Sequence, residues 1–131
     1  MCIRDRDKID RVHLRGVAVN SASLNALERF SYLTTLSLHD FTWEAEFASH
    51  LVALSSIENV KLDNCDGLRL GWLAERETLR EVVLVGVGLL SEGELHNFAK
   101  TGIRKITVEQ VGISSLAWIN GCERLEAVRL G

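Results

Sequence analysis

The chain has 131 residues, 47% hydrophobic and 25% charged, enough for one domain with a real core or a piece of one. A net charge of −3 and a pI near 5.8 argue against a general nucleic-acid binder or a binder of anionic membranes, both of which are usually basic. No apolar run approaches the roughly 20 residues of a membrane span, and the three cysteines lack the spacing of a structural zinc site.

Those cysteines, Cys2, Cys65 and Cys122, are odd in number and far apart. They read as free thiols of a reducing compartment, which favours the cytoplasm without assigning it. Residues 1–6, MCIRDR, resemble the translation of a sequencing-adaptor stretch and are expected to be non-native. Cys2 then carries no meaning, and the remaining domain, 7–131, is expected to be truncated at both ends.

From Ile9 onward the chain opens six segments alike: IDRVHL, LTTLSL (Leu33), IENVKL (Ile57), LREVVL (Leu79), IRKITV (Ile103) and LEAVRL (Leu125). The offsets are 24, 24, 22, 24 and 22 residues. Ile, Leu or Val fills the first, fourth and sixth positions eighteen times in eighteen, although these three types make up only 39 of 131 residues. The spacing predicts a short strand at each opening, with positions four and six inward and positions three, five and seven outward.

Between the strands lie return segments of two kinds. SASLNALERF carries Leu24, Leu27 and Phe30 at helical spacing, and TWEAEFASHLVALSS carries Phe47, Leu51 and Leu54. SEGELHNFAKTG places Ser91 and Glu94 in capping-box spacing and ends at Gly102, a predicted C-cap. The two shorter repeats, around LGWLAERET and SSLAWINGCER, predict tight turns or 3₁₀ pieces, with Trp72 and Trp118 packed beneath them.

LxxLxL recurring every 22–24 residues over 9–131 resembles the leucine-rich repeat family, and IENVKLDNCDGL fits its LxxLxLxxCxxL pattern with Cys65 in the Asn/Cys slot. Elsewhere Val17, Phe41, Val87 and Val111 hold that slot, so apolar packing is expected to replace the family's asparagine ladder. The resemblance implies an α/β leucine-rich-repeat solenoid of about six repeats. Its parallel sheet would line a concave side, with helices or 3₁₀ turns on the convex side. No single repeat buries its own apolar face, so stacking supplies the core.

Three tempting motifs weaken on inspection. GVGLLS at 86–91, with Glu109 about twenty residues on, imitates part of a dinucleotide fingerprint. Ser91 replaces its third glycine, and the glycines are better read as turning the chain out of a strand. His13, His39 and Asp63 fall on the outward face of adjacent strands, where a solvated polar ladder is the expected reading. Cys65 sits in an inward slot and Cys122 in a packing position, so neither is expected to be a nucleophile. No catalytic residue, cofactor or metal site is assigned, and the chain is read as non-enzymatic.

What remains is the outward face, about 24 Å across for six strands. Its third-position row runs Arg11, Thr35, Asn59, Glu81, Lys105, Ala127; its fifth, His13, Ser37, Lys61, Val83, Thr107, Arg129; its seventh, Arg15, His39, Asp63, Val85, Glu109. Val83 and Val85 form a small apolar spot, and the expected partner-binding set is Lys61, Asp63, Glu81, Val83, Val85, Lys105, Thr107 and Glu109. The expected partner is a protein, with neither nucleic acid nor membrane, and the cut ends predict self-association. The alternative is a spacer, or a substrate-recruiting or regulatory segment of a larger protein whose catalytic domain lies elsewhere.

Overall fold

The computed structural model describes residues 10–30, 33–67, 69–74, 76–90, 92–98, 101–113 and 117–130. Its spine is a parallel sheet of six strands in chain order. These are β1 (Arg11–Arg15), β2 (Thr35–Thr42), β3 (Asn59–Asp66), β4 (Glu81–Leu90), β5 (Lys105–Ile113) and β6 (Ala127–Leu130). The class is α/β, as the sequence predicts.

Each strand pairs with its neighbour one repeat on, so Leu36, Val60, Val82, Ile106 and Val128 lie in one row. One seam recurs between repeats, in which a single carbonyl accepts two successive amides of the next repeat. Thr34 and Thr35 donate to Asp10 at 2.9 Å each, Arg80 and Glu81 to Glu58 at 2.7 and 3.1 Å, and Glu126 and Ala127 to Arg104 at 2.7 and 3.0 Å. Inward side chains of β2 to β5 are buried in the core, as are Leu33, Ile57, Leu79 and Ile103 at the first repeat position. At the ends burial weakens: Val12 and Leu14 are half-buried, while Val128 and Leu130 remain 37% and 52% exposed.

The return segments follow their sequence signals. Asn20 caps α1 (Ser21–Leu27), its Oδ1 accepting the Ser23 amide at 2.9 Å, and Leu24 and Leu27 turn into the core. In α2 (Ala45–Leu51) Phe47 and Leu51 are buried, with Leu54 just beyond. A single turn, α3 (Glu92–Leu95), passes into a 3₁₀ turn at His96–Phe98. The two shorter repeats return through 3₁₀ turns alone, Gly71–Leu73 and Ala117–Gly121, each wedged by a buried tryptophan, Trp72 and Trp118.

At the eighth repeat position Gly16, Asp40, Asn64, Gly86 and Gln110 all adopt left-handed backbone, with φ of 60°, 53°, 54°, 60° and 54°. Strict alternation would turn the ninth position outward with the third, fifth and seventh. One left-handed residue resets that parity, and Phe41, Cys65 and Val87 turn inward. Between β4 and β5 the register also slips, Val85 facing Glu109 while Gly88 faces Val111.

Several expectations are corrected. Val17 does not join the apolar slot: β1 stops at Arg15, a 3₁₀ turn follows at Gly16–Ala18, Val17 is 95% exposed and Val19 fills the space instead. Gly86 and Gly88 do not turn the chain out of the sheet, because β4 runs through both to Leu90. Gly102 is no left-handed C-cap; its amide donates to the Arg76 carbonyl at 3.0 Å, and a Cβ there would collide with the Glu77 carbonyl oxygen. Residues 1–6, Ile9 and Ser91 lie outside the described residues, as does the side chain of Val111. Glu94 reaches into the preceding repeat, accepting the Leu70 amide at 2.8 Å and pairing with Arg69 at 3.2 Å, while the capping box predicted between it and Ser91 lies outside the described residues.

Candidate functional site

The open face of the sheet carries the predicted set. Lys61 and Asp63 project from β3, Glu81, Val83 and Val85 from β4, and Lys105, Thr107 and Glu109 from β5. Register brings all eight together. Val83 lies between Lys61 and Thr107, Val85 between Asp63 and Glu109, and Glu81 beside Lys105. Three strands at ~4.8 Å spacing and rows two residues apart make this a patch of roughly 10 by 13 Å.

Both valines are half-buried although they point away from the core. Lys61 beside Val83 and Glu109 beside Val85 carry aliphatic stems that can cover apolar surface while their charged heads stay in water. Lys105 Nζ lies 3.7 Å from Glu81 Oε2, a solvent-facing pair. Such a pair adds little stability but fixes where charge is displayed. No other charge pairing within this patch joins β3 to β4 or β4 to β5 among the described residues.

At the β1 side the polar ladder is exposed at His13 but buried at His39, which corrects the sequence reading at that one position. His39 is only 5% exposed. The His13 ring covers it, centroids 4.3 Å apart and planes 23° from parallel, and its Nδ1 lies 3.2 Å from Asp63 Oδ2. Its Nε2 has no partner among the described residues. Desolvation by burial lowers the His39 pKa from the ordinary 6.5, against the raising effect of the Asp63 hydrogen bond. Neighbouring Asp40 holds Arg15 at 3.6 Å and accepts Asn64 Nδ2 at 2.9 Å.

Beyond the C-terminal ends of β1 to β3 opens a cavity of about 470 Å³ whose lining includes Asn20, Asp40, Thr42, Glu44, Asn64 and Asp66. Its carboxylates are exposed, and Asp40 is engaged by Arg15 and Asn64. Among the described residues no group of three or more His, Cys, Asp or Glu side chains is placed to hold a metal ion. Cys65 is fully buried and its thiol pKa is pushed up to about 12, chiefly by burial. Burial raises Cys122 as well, so both thiols stay protonated and chemically quiet at neutral pH. Among the described residues no helix is long and apolar enough to cross a membrane.

The sequence reading missed the left-handed column beside this face. Its signal was present: Gly16, Asp40, Asn64 and Gly86 share one repeat position, and all are types that tolerate positive φ. His39 burial had no comparable signal, since it depends on a ring 26 residues earlier in the chain lying flat on it. The chain matches no model of a known protein family and no curated protein.

Proposed function

We propose that this chain is a non-catalytic leucine-rich-repeat segment that binds a protein partner across the open, concave face of its sheet. The observation that carries the reading is the placement of Val83 and Val85 on β4, flanked in register by Lys61, Asp63, Thr107 and Glu109. A central apolar spot with a charged rim supplies both desolvation energy and orientation, the arrangement of a recognition surface. The recurring 22- or 24-residue unit, strand then return segment, supports the solenoid. Such a face is preformed, so little ordering cost opposes binding.

A photo-crosslinking amino acid at position 83 tests this, with the same group at exposed Val52 on the return side as reference. The expected result is a discrete protein adduct from position 83 that is lost in Val85→Glu and absent from position 52. Equal labelling from both positions, or none from position 83, overturns the proposal.

A further inference from the structure

We propose that the stacked pair His13–His39 is an acid-sensitive contact that loosens the β1–β2 seam. At neutral pH the pair is favourable. The tautomer of His39 that donates Nδ1–H to Asp63 leaves Nε2 as a bare acceptor, and the flat, exposed His13 ring covers the buried His39 ring. Acid changes both terms. A proton on His39 places an N–H at Nε2, a buried position with no acceptor among the described residues. The charged His39 ring then lies against the His13 ring, centroids 4.3 Å apart, beside a strand that carries Arg11 and Arg15.

The surrounding charges do not absorb this. On β1, Arg11 and Arg15 flank His13 and Arg15 pairs in register with His39; on β2, Thr35 and Ser37 are uncharged; on β3, Asp63 pairs with His39 and Lys61 lies two residues before it. Asp63 offsets one charge, and Asp40 is already paired with Arg15. Acid therefore sets a His39 imidazolium against a β1 row that already carries Arg11 and Arg15.

β1 is less firmly packed than its neighbour. Its inward Val12 and Leu14 are half-buried, whereas Leu36 and Leu38 of β2 are fully buried. Local opening draws on weakly buried elements, and the β1–β2 seam joins one to a fully buried strand. The process does not depend on the partner-binding reading.

Amide hydrogen exchange on the whole chain reads the seam directly. Thr34 and Thr35 lose their acceptor, the Asp10 carbonyl, when the β1–β2 seam opens, while Arg80 and Glu81 on the Glu58 carbonyl report an interior seam. Between about pH 7.5 and about pH 5, after correction for intrinsic exchange, the protection of Thr34 and Thr35 is expected to fall about tenfold relative to Arg80 and Glu81. His39→Phe, which keeps a ring in the stack, and His13→Gln are both expected to abolish that difference. Unchanged protection at Thr34 and Thr35 overturns the proposal, as does an equal loss at both seams. If neither variant folds, the wild-type comparison of the two seams still decides. A folded variant that keeps the full acid response also overturns it.

Discussion

The guanidinium of Arg76 donates to the backbone carbonyl of Leu51 at 2.9 Å, tying the end of α2 to the return segment of the next repeat. It also donates to the carbonyls of Leu54 and, through Nε at 2.8 Å, of Trp72, and lies 5.9 Å from the Trp72 ring centroid. The last carbonyls of a helix have no partner within it, and a cation there also complements the helix dipole. Burial lowers the Arg76 pKa, yet an arginine stays charged, so its hydrogen bonds are charge-assisted ones in a partly dry setting.

Arg76→Ala is therefore expected to cost about 2–4 kcal/mol by urea unfolding, and Arg76→Lys most of that, because an ammonium cannot span three carbonyls. A loss below about 0.5 kcal/mol for both variants means the fork contributes nothing net.

The left-handed column predicts effects of opposite sign from similar substitutions. Gln110 is exposed with φ of 54°, so Gln110→Gly relieves backbone strain and is expected to be neutral or stabilising by about 1 kcal/mol. Gly86, with φ of 60°, has room for a Cβ but not the backbone for one; Gly86→Val is expected to cost about 2 kcal/mol. Thermal unfolding of the two variants checks the pair. Equal shifts show that positive φ is not what these positions require.

Gly102→Ala tests a steric requirement of another kind. The new methyl group would meet the Glu77 carbonyl, and backbone cannot rotate aside as a side chain can. The expected loss is about 3 kcal/mol. Gly71 has open space at the same notional Cβ, so Gly71→Ala serves as the control and is expected to change stability by less than about 1 kcal/mol.

His39 contributes a pH dependence to global stability. Its pKa is lowered in the folded state, so the folded chain binds fewer protons than the unfolded chain below the ordinary value of 6.5. Stability contributed by this group is present above that value and is lost as pH falls through the folded-state pKa. Urea midpoints taken downward from about pH 7.5 should fall, and His39→Phe should flatten the decline. A decline of equal slope in that variant assigns it to other groups.

Most of the architecture was legible because stacking imposes one rule on every repeat. A strand with two inward aliphatics recurs every 22 or 24 residues, and Leu36, Val60, Val82 and Ile106 align in the sheet as they do in the sequence. The outward set from Lys61 to Glu109 followed from the same rule, since a two-residue period assigns faces without any knowledge of contacts. The helix-against-3₁₀ distinction also followed, from two residues more or fewer per repeat and the tryptophans that fill the shorter turns.

Tertiary structure decided what depends on one repeat touching the next. Val17 carries the residue type of its slot but not the location, because after Gly16 the chain enters a 3₁₀ turn instead of continuing as strand. His39 is outward by period yet buried, since His13 stacks on it from the neighbouring strand. Glu94 and Arg76 look like local helix and loop residues, but each also bonds partners 22 to 25 residues away across a seam. Periodicity determines which way a side chain points; what it meets is set by the geometry of the adjacent repeat, which no single segment encodes.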